Sequence, residues 1–416
     1  MKRKLWAYWT LVQGGFYLMG SVVTPYLRSL GLDPGRIGLY QSVSGVAAVV
    51  GSLGGGAVGD RWGRREAILM ARFLHLAGTA MLLVARRWDL LLAVAVLSGL
   101  SQMAGPAFSA LVAGESQNSS RATFFGGLQT VAWLMGVGFP LLGGVIADRW
   151  GARVAMGASL PFFLAALVVA SALRPSCPAG GAGGARVAPL YAEGGCRPGR
   201  GWGAWEGLWV PGMRSTVVGL MAGHLVSAVV NGVINLALPL WVQDYLGGGY
   251  TEIAGAGSAV ALGSAITIFL GGKLADRYGR KKVGTFTLVW AGLGAAAFPL
   301  VKSIWHLYVL LFLICLAANA GGPAVSAMAA ECVRPSVRAT FSGLLQSLWW
   351  GGLAVGSALG GFLYARGLLP VWIAIVAGGA MQLLLWLTLV RETLGLEVTE
   401  PPSASGYQVA SGVTEC

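Results

Sequence analysis

The sequence predicts an all-α integral membrane protein: 12 transmembrane helices in two pseudo-symmetric six-helix bundles. Three observations carry the prediction. Of 416 residues, 56% are hydrophobic and 11% are charged, against about 25% charged in soluble domains, so a water-exposed surface cannot be covered. Glycine (65) and tryptophan (16) are both abundant, as in closely packed spanning helices with aromatic interface belts. The chain also repeats itself: residues 56–65, GAVGDRWGRR, return as residues 272–281, GKLADRYGRK. A water-soluble enzyme is excluded by the first observation, and a collagen-like chain by the lack of any G-X-Y period.

A span needs about 20 apolar residues, and twelve stretches supply it in turn. The first six cover residues 5–27, 37–59, 66–85, 89–112, 122–146 and 152–173. The second six cover 215–241, 251–272, 283–301, 305–330, 339–364 and 370–390. This divides the chain into an N-terminal bundle (1–173), a cytoplasmic linker (174–214), a C-terminal bundle (215–390) and a cytoplasmic tail (391–416). In the linker, Trp202, Trp205 and Trp209 share one helical face, so a short interfacial helix competes with an irregular connection. Met1–Lys4 is a short basic start without a cleavable-signal pattern; the apolar run after it belongs to the first span.

Charge placement gives the orientation. With the N-terminus inside, 20 Lys and Arg fall on inner segments and 8 on outer ones, while Arg72 lies within the third span. Inner segments carry the positive excess in membrane proteins, so both termini are expected in the cytoplasm of a plasma membrane, a bacterial inner membrane by its short loops. The net charge of +13 is then explained by lipid headgroups, and nucleic acid is not needed as a partner. The five cysteines form no CxxC pair and have no nearby His, which argues against a disulfide framework or a metal site. The sequon Asn118-Ser119-Ser120 faces inward, where glycosylation does not occur.

The repeat extends well past the first motif. At an offset of 217, Gly105-Pro106 matches Gly322-Pro323, Arg121-Ala122-Thr123-Phe124 matches Arg338-Ala339-Thr340-Phe341, Gln129 and Trp133 match Gln346 and Trp350, and Gly143-Gly144 matches Gly360-Gly361. The halves are therefore parallel copies about an axis along the membrane normal, an arrangement used by secondary transporters. Two copies of G-x-x-x-D-R-[WY]-G-R-[RK], after spans 2 and 8, together with the six-plus-six topology, resemble the major facilitator superfamily over residues 1–395. The resemblance implies rocker-switch alternating access, with a cavity lined by spans 1, 4, 7 and 10 and their neighbours 2, 5, 8 and 11. Spans 3, 6, 9 and 12 would form the scaffold.

The inner-face motif has a physical reading of its own. Asp60 and Asp276 end spans 2 and 8, each followed by basic residues: Arg61 and Arg64, Arg277 and Arg280. Gly63 and Gly279 allow the sharp turn. A carboxylate there can meet a basic side chain or a neighbouring helix N-terminus. Glu115 with Arg121, and Glu331 with Arg338, offer further pairs. Such bonds can gate the cytoplasmic side, made in one state and broken in the other; the alternative is that they are surface ion pairs worth under about 1 kcal/mol each. By resemblance, Asp60 points toward the start of span 11 and Asp276 toward the start of span 5.

Polar side chains in spans usually face the bundle interior. The repeat pairs Gln102 with Asn319, Gln129 with Gln346 and Trp133 with Trp350. Span 7 adds His224, Asn231 and Asn235 on one face, and span 1 adds Gln13, Tyr17 and Thr24. Together they predict a neutral substrate cavity of amides and aromatics, with interhelical hydrogen bonding as the alternative use of each residue. All sixteen acidic residues lie at span ends, in loops or in the tail. The candidate for proton coupling is therefore His224, about 14 Å into its span, against the plainer reading of a neutral core histidine. His75 lies at similar depth on a scaffold span. Arg72, about 9 Å in, is expected to snorkel to the inner headgroups.

Two functions compete. GVGFPLLGG (136–144) partly resembles the glycine-proline motif of drug and proton antiporters, with Phe139 in place of a glycine. Span 1 lacks the acidic residue of those relatives, and Ala95 stands where their motif has Arg. Export of amphipathic, drug-like compounds is the first reading. A facilitator or symporter for a neutral polar solute such as a sugar is the second, and Arg391-Glu392-Thr393 resembles a sugar-porter ending. A non-transporting membrane sensor ranks third. The expected partners are a small-molecule substrate, membrane lipids and protons; no cofactor and no metal are expected, and the chain is expected to act as a monomer.

Overall fold

In the computed structural model the described residues are 2–115, 121–173, 212–333 and 338–393. The linker with its three tryptophans, and the tail beyond Thr393, lie outside them. The first half comprises α1 (Lys2–Ser29), α2 (Pro34–Trp62), α3 (Arg64–Val84), α4 (Trp88–Leu100), α5 (Ala104–Glu115), α6 (Arg121–Trp150) and α7 (Ala152–Ser171). The second comprises α8 (Arg214–Asp244), α9 (Tyr250–Tyr278), α10 (Arg280–Ala297), α11 (Ile304–Ala318), α12 (Gly321–Glu331), α13 (Arg338–Tyr364) and α14 (Leu368–Leu389). Fourteen helices make twelve spans because spans 4 and 10 are each broken in two. The breaks fall at repeat-related places, a 3-10 turn at Ser101–Met103 and a turn at Asn319-Ala320.

Local chemistry sets many of the ends. Asp33 caps α2, its carboxylate accepting from the Arg36 N–H at 2.9 Å, with Pro34 in the first helical position. Ser303 caps α11. Gly63 (φ +105°) and Gly279 (φ +96°) each join two helices through a single residue, in a region that residues with a Cβ avoid. Nine of the described helical segments are long and apolar enough to cross a membrane. α1, α9 and α13 are as long, at 28, 29 and 27 residues, and each packs against helices of the opposite half.

The two halves touch along two repeat-related crossings, α2 on α13 and α6 on α9. Glycine makes both close. A Cβ on Gly45 would lie 2.8 Å from that of Ala354, and one on Gly144 would lie 2.7 Å from the Tyr250 carbonyl oxygen. Two ends of the molecule can be distinguished: the motif end, with Asp60 and Asp276, and the far end. One apolar core at the far end runs through both halves, with Val22, Phe163, Leu240 and Trp372 in it. At the motif end each half has its own core, Leu5, Phe108 and Leu173 in the first and Leu220, Met328 and Trp386 in the second. The molecule is thus sealed at the far end, with its halves separately packed at the motif end.

Candidate functional site

Between the halves, above the far-end seal, lies a cavity of about 520 Å³. Two helix-interior prolines line it, Pro140 of α6 and Pro239 of α8, and each removes a backbone donor from its helix. Trp133 and Trp350, matched by the repeat, stand in its wall with Tyr17, Gln102 and Asn235. No charged side chain lines it among the described residues. The Trp133 ring is in the wall, while its indole N–H is buried out of reach of the cavity and has no hydrogen-bond partner among the described residues.

The remaining expected residues lie elsewhere. Asn319 donates to the Ser264 hydroxyl at 2.7 Å and sits at the span-10 break, outside the lining. Asn231 donates to Ser227 O of its own helix at 2.9 Å. The His224 ring packs on Trp349 with centroids 5.2 Å apart. Gln129 and Gln346 are exposed, nearer the motif end, and Gln13 is half-buried on α1. The amide pair Gln102 and Asn319 is therefore split: one lines the cavity and the other bonds between helices. The structure adds a stripe on α2, with Tyr40, Gln41 and Ser44 lining the cavity; Gln41 donates to the Thr24 hydroxyl at 3.1 Å.

At the motif end, Arg280 pairs with Glu331, a partner other than the Arg338 suggested by proximity in sequence. Arg64 donates to Ala110 O at 3.0 Å. Arg277 lies 5.5 Å over its neighbour Tyr278, and Arg61 is exposed. Asp276 is exposed, with no hydrogen bond or ion pair to it among the described residues. The side chains of Asp60, Glu115, Arg121 and Arg338 lie outside the described set. Burial pushes the Cys332 thiol up to about 11, with the Arg280 charge pulling the other way, so it stays a protonated core residue near neutral pH.

Sequence reasoning missed the far-end latches. Asp148, on α6, reaches across to the start of α9. One carboxylate oxygen accepts from the Tyr250 N–H at 3.0 Å, the other from the Thr251 N–H at 2.8 Å and hydroxyl at 2.5 Å. Gly249 precedes α9 and offers no side-chain cap, so the cap comes from the other half. The signal was present: Asp148-Arg149-Trp150-Gly151 repeats the motif at the far end, and Gly151 has φ +92°. A second latch joins Arg28 of α1 to Asp244 of α8 at 3.4 Å, and Tyr364 donates to the same carboxylate at 3.1 Å. Among the described residues, the polar contacts between halves all lie at this end.

The family model described as Major Facilitator Superfamily matches residues 6–217 and 220–411. The multidrug resistance protein MdtG of Proteus mirabilis is 25% identical over 383 residues, covering 88% of this chain and 90% of that protein. A putative niacin/nicotinamide transporter NiaP of Bacillus subtilis is 36% identical over 98 residues, only 24% of either chain. Among solved structures, a D-xylose-proton symporter superposes with a TM-score of 0.70 at 15% identity, covering 94% of this chain and 98% of its own.

Proposed function

Because the chain belongs to the major facilitator superfamily, we propose that it exports amphipathic, drug-like molecules by alternating access of its two halves. It is a multi-pass membrane transporter and not an enzyme. The observation that carries the substrate class is the cavity wall, which is uncharged and holds the rings of Tyr17, Tyr40, Trp133 and Trp350. Flat aromatic faces and few fixed polar contacts suit ligands that vary in shape. The relatives named as multidrug resistance proteins support the same reading.

On this reading the motif end faces the cytoplasm. The far-end latches are made here, and the cavity opens toward the inside. Closure of the cytoplasmic side would then use Asp276 and the basic residues around Asp60, which find partners when the motif ends come together. His224, packed on Trp349 outside the lining, is the coupling residue we propose, since no carboxylate lines the cavity and the imidazole is the group in these spans that can change charge near neutral pH. The test uses inverted membrane vesicles with an imposed pH gradient and a lipophilic cationic dye. Gradient-dependent uptake that is lost on Trp133→Ala and on Asp276→Ala is the expected result. Uptake indifferent to both changes sinks the proposal.

A second reading rests on a different feature of the same wall. Gln41 with Thr24, Gln102 and Asn235 form a neutral hydrogen-bonding set, which suits an uncharged polar solute. Tight, stereospecific binding of a sugar in the absence of dye transport would favour it.

A further inference from the structure

Arg72 is 3% exposed, and so is His75; the snorkelling expected of Arg72 does not occur. Its guanidinium turns into the first half and donates to Ser101 O at 3.3 Å. The Ser101 hydroxyl faces His75 Nδ1 at 3.3 Å and donates to Ser98 O at 2.6 Å. Phe16 closes the cluster, 4.5 Å from the His75 ring and 5.7 Å from the guanidinium. Arg72 Nε and Nη1 have no hydrogen-bond partner among the described residues, and the buried Tyr8 hydroxyl of α1 lies beside the same guanidinium. A cation buried in a span is costly, and such residues tend to serve function.

The place it holds is the 3-10 turn that breaks span 4. The next residue in that turn, Gln102, lines the cavity, and so does Tyr17, the neighbour of Phe16. Three residues at 3.0 per turn, in place of 3.6, rotate the succeeding helix by roughly 60°. Loss of the turn therefore re-aims the Gln102 side chain. The second half holds its matching break by other means. There Thr267 donates to Leu316 O at 2.5 Å and Asn319 to Ser264 at 2.7 Å, while the repeat equivalents of Arg72 and His75 are Leu288 and Ala291. The charged support belongs to the first half alone.

We infer that Arg72 is a positioning residue for substrate recognition: through the Ser101 carbonyl it fixes the span-4 break so that Gln102 points into the cavity. The inference rests on the reading of Gln102 as a cavity residue. Its test needs no known substrate. With the native cysteines replaced by serine, Gln102→Cys and Asn235→Cys report on opposite walls of the cavity, labelled by a water-soluble maleimide in inverted vesicles. Arg72→Leu is expected to slow labelling at 102 by about tenfold, the weight of one charge-assisted hydrogen bond, and to leave 235 unchanged. Arg72→Lys, which keeps a donor, should restore most of the rate at 102. Equal rates at 102 with and without Arg72 overturn the inference, and so does a parallel loss at both sites, which marks a merely structural role. Silence at 102 with Arg72 in place, while 235 labels, removes Gln102 from the cavity and overturns the underlying reading.

Discussion

Trp133 carries the sharpest choice between the two substrate classes. Its ring supplies an apolar face, while its N–H, buried without a partner among the described residues, reaches a solute only if the ring turns. Trp133→Phe keeps the face and removes the donor. For a dye held by aromatic contact, the half-saturating concentration should stay within about twofold; for a polar solute bonded to the indole, it should rise toward tenfold. A concentration series in vesicles reads the difference. Gly143 makes a different demand. A Cβ there would meet the Leu18 carbonyl oxygen of α1, backbone that cannot step aside. Gly143→Ala should cost about 1–3 kcal/mol, seen as a lower Tm in detergent; an unchanged Tm would show that α1 and α6 are looser than described. The tryptophan pair was legible because both copies of the repeat keep it. The α2 stripe was not, because the repeat equivalents of Tyr40, Gln41 and Ser44 are Ala256, Gly257 and Val260, and no symmetry marked the position. The Ser101–Met103 turn itself holds no Pro or Gly; its signal lies downstream, in Pro106, which cannot donate to the Gln102 carbonyl, yet the expected span 4 ran through it as one continuous helix.

Helix ends explain residues whose roles sequence alone left open. Arg391-Glu392-Thr393 resembles a sugar-porter ending, yet its contacts are those of a cap. The Glu392 carboxylate accepts from the Arg280 and Lys281 N–H groups at 3.1 and 3.0 Å, and the Arg391 N–H donates to the Thr216 hydroxyl at 3.0 Å. A carboxylate at a helix N-terminus satisfies orphan donors and meets the positive end of the dipole. These three residues thus tie the end of α14 to the starts of α10 and α8 without any reference to substrate. Glu392→Ala should lower stability by about 1 kcal/mol while leaving the substrate profile unchanged. A changed profile at equal stability would return the triplet to a role in recognition. The span count and the motif turn were readable from hydropathy and from glycine. The cap on α9 was not, since Asp148 and Thr251 lie 103 residues apart and meet only through the packing of the halves.

At the scale of the whole molecule, the two ends act as a balance. Three bonds from Asp148 and the Arg28–Asp244 pair hold the far end shut, while Asp276 has no partner among the described residues. Under the alternating access proposed above, far-end latches would exist in one state of the transporter and break in the other, so their strength would set the population of each. A trans cap suits this use: when the halves part, water replaces Asp148 at the exposed α9 N-terminus, and the difference between states stays small enough to reverse. Asp148→Ala therefore moves the population toward the far-end-open state, and Asp276→Ala moves it the other way by weakening closure at the motif end. With Asn235→Cys as reporter, a membrane-impermeant maleimide applied from the far side of right-side-out vesicles should label about tenfold faster in Asp148→Ala and more slowly in Asp276→Ala. A shift of that size corresponds to the loss of roughly 1.4 kcal/mol of differential contact. The double variant should fall between the two, because each change biases one equilibrium from opposite ends. If far-side labelling ignores Asp148→Ala, the trans cap belongs to folding alone, and the seal rests on the shared apolar core and the glycine crossings beneath it.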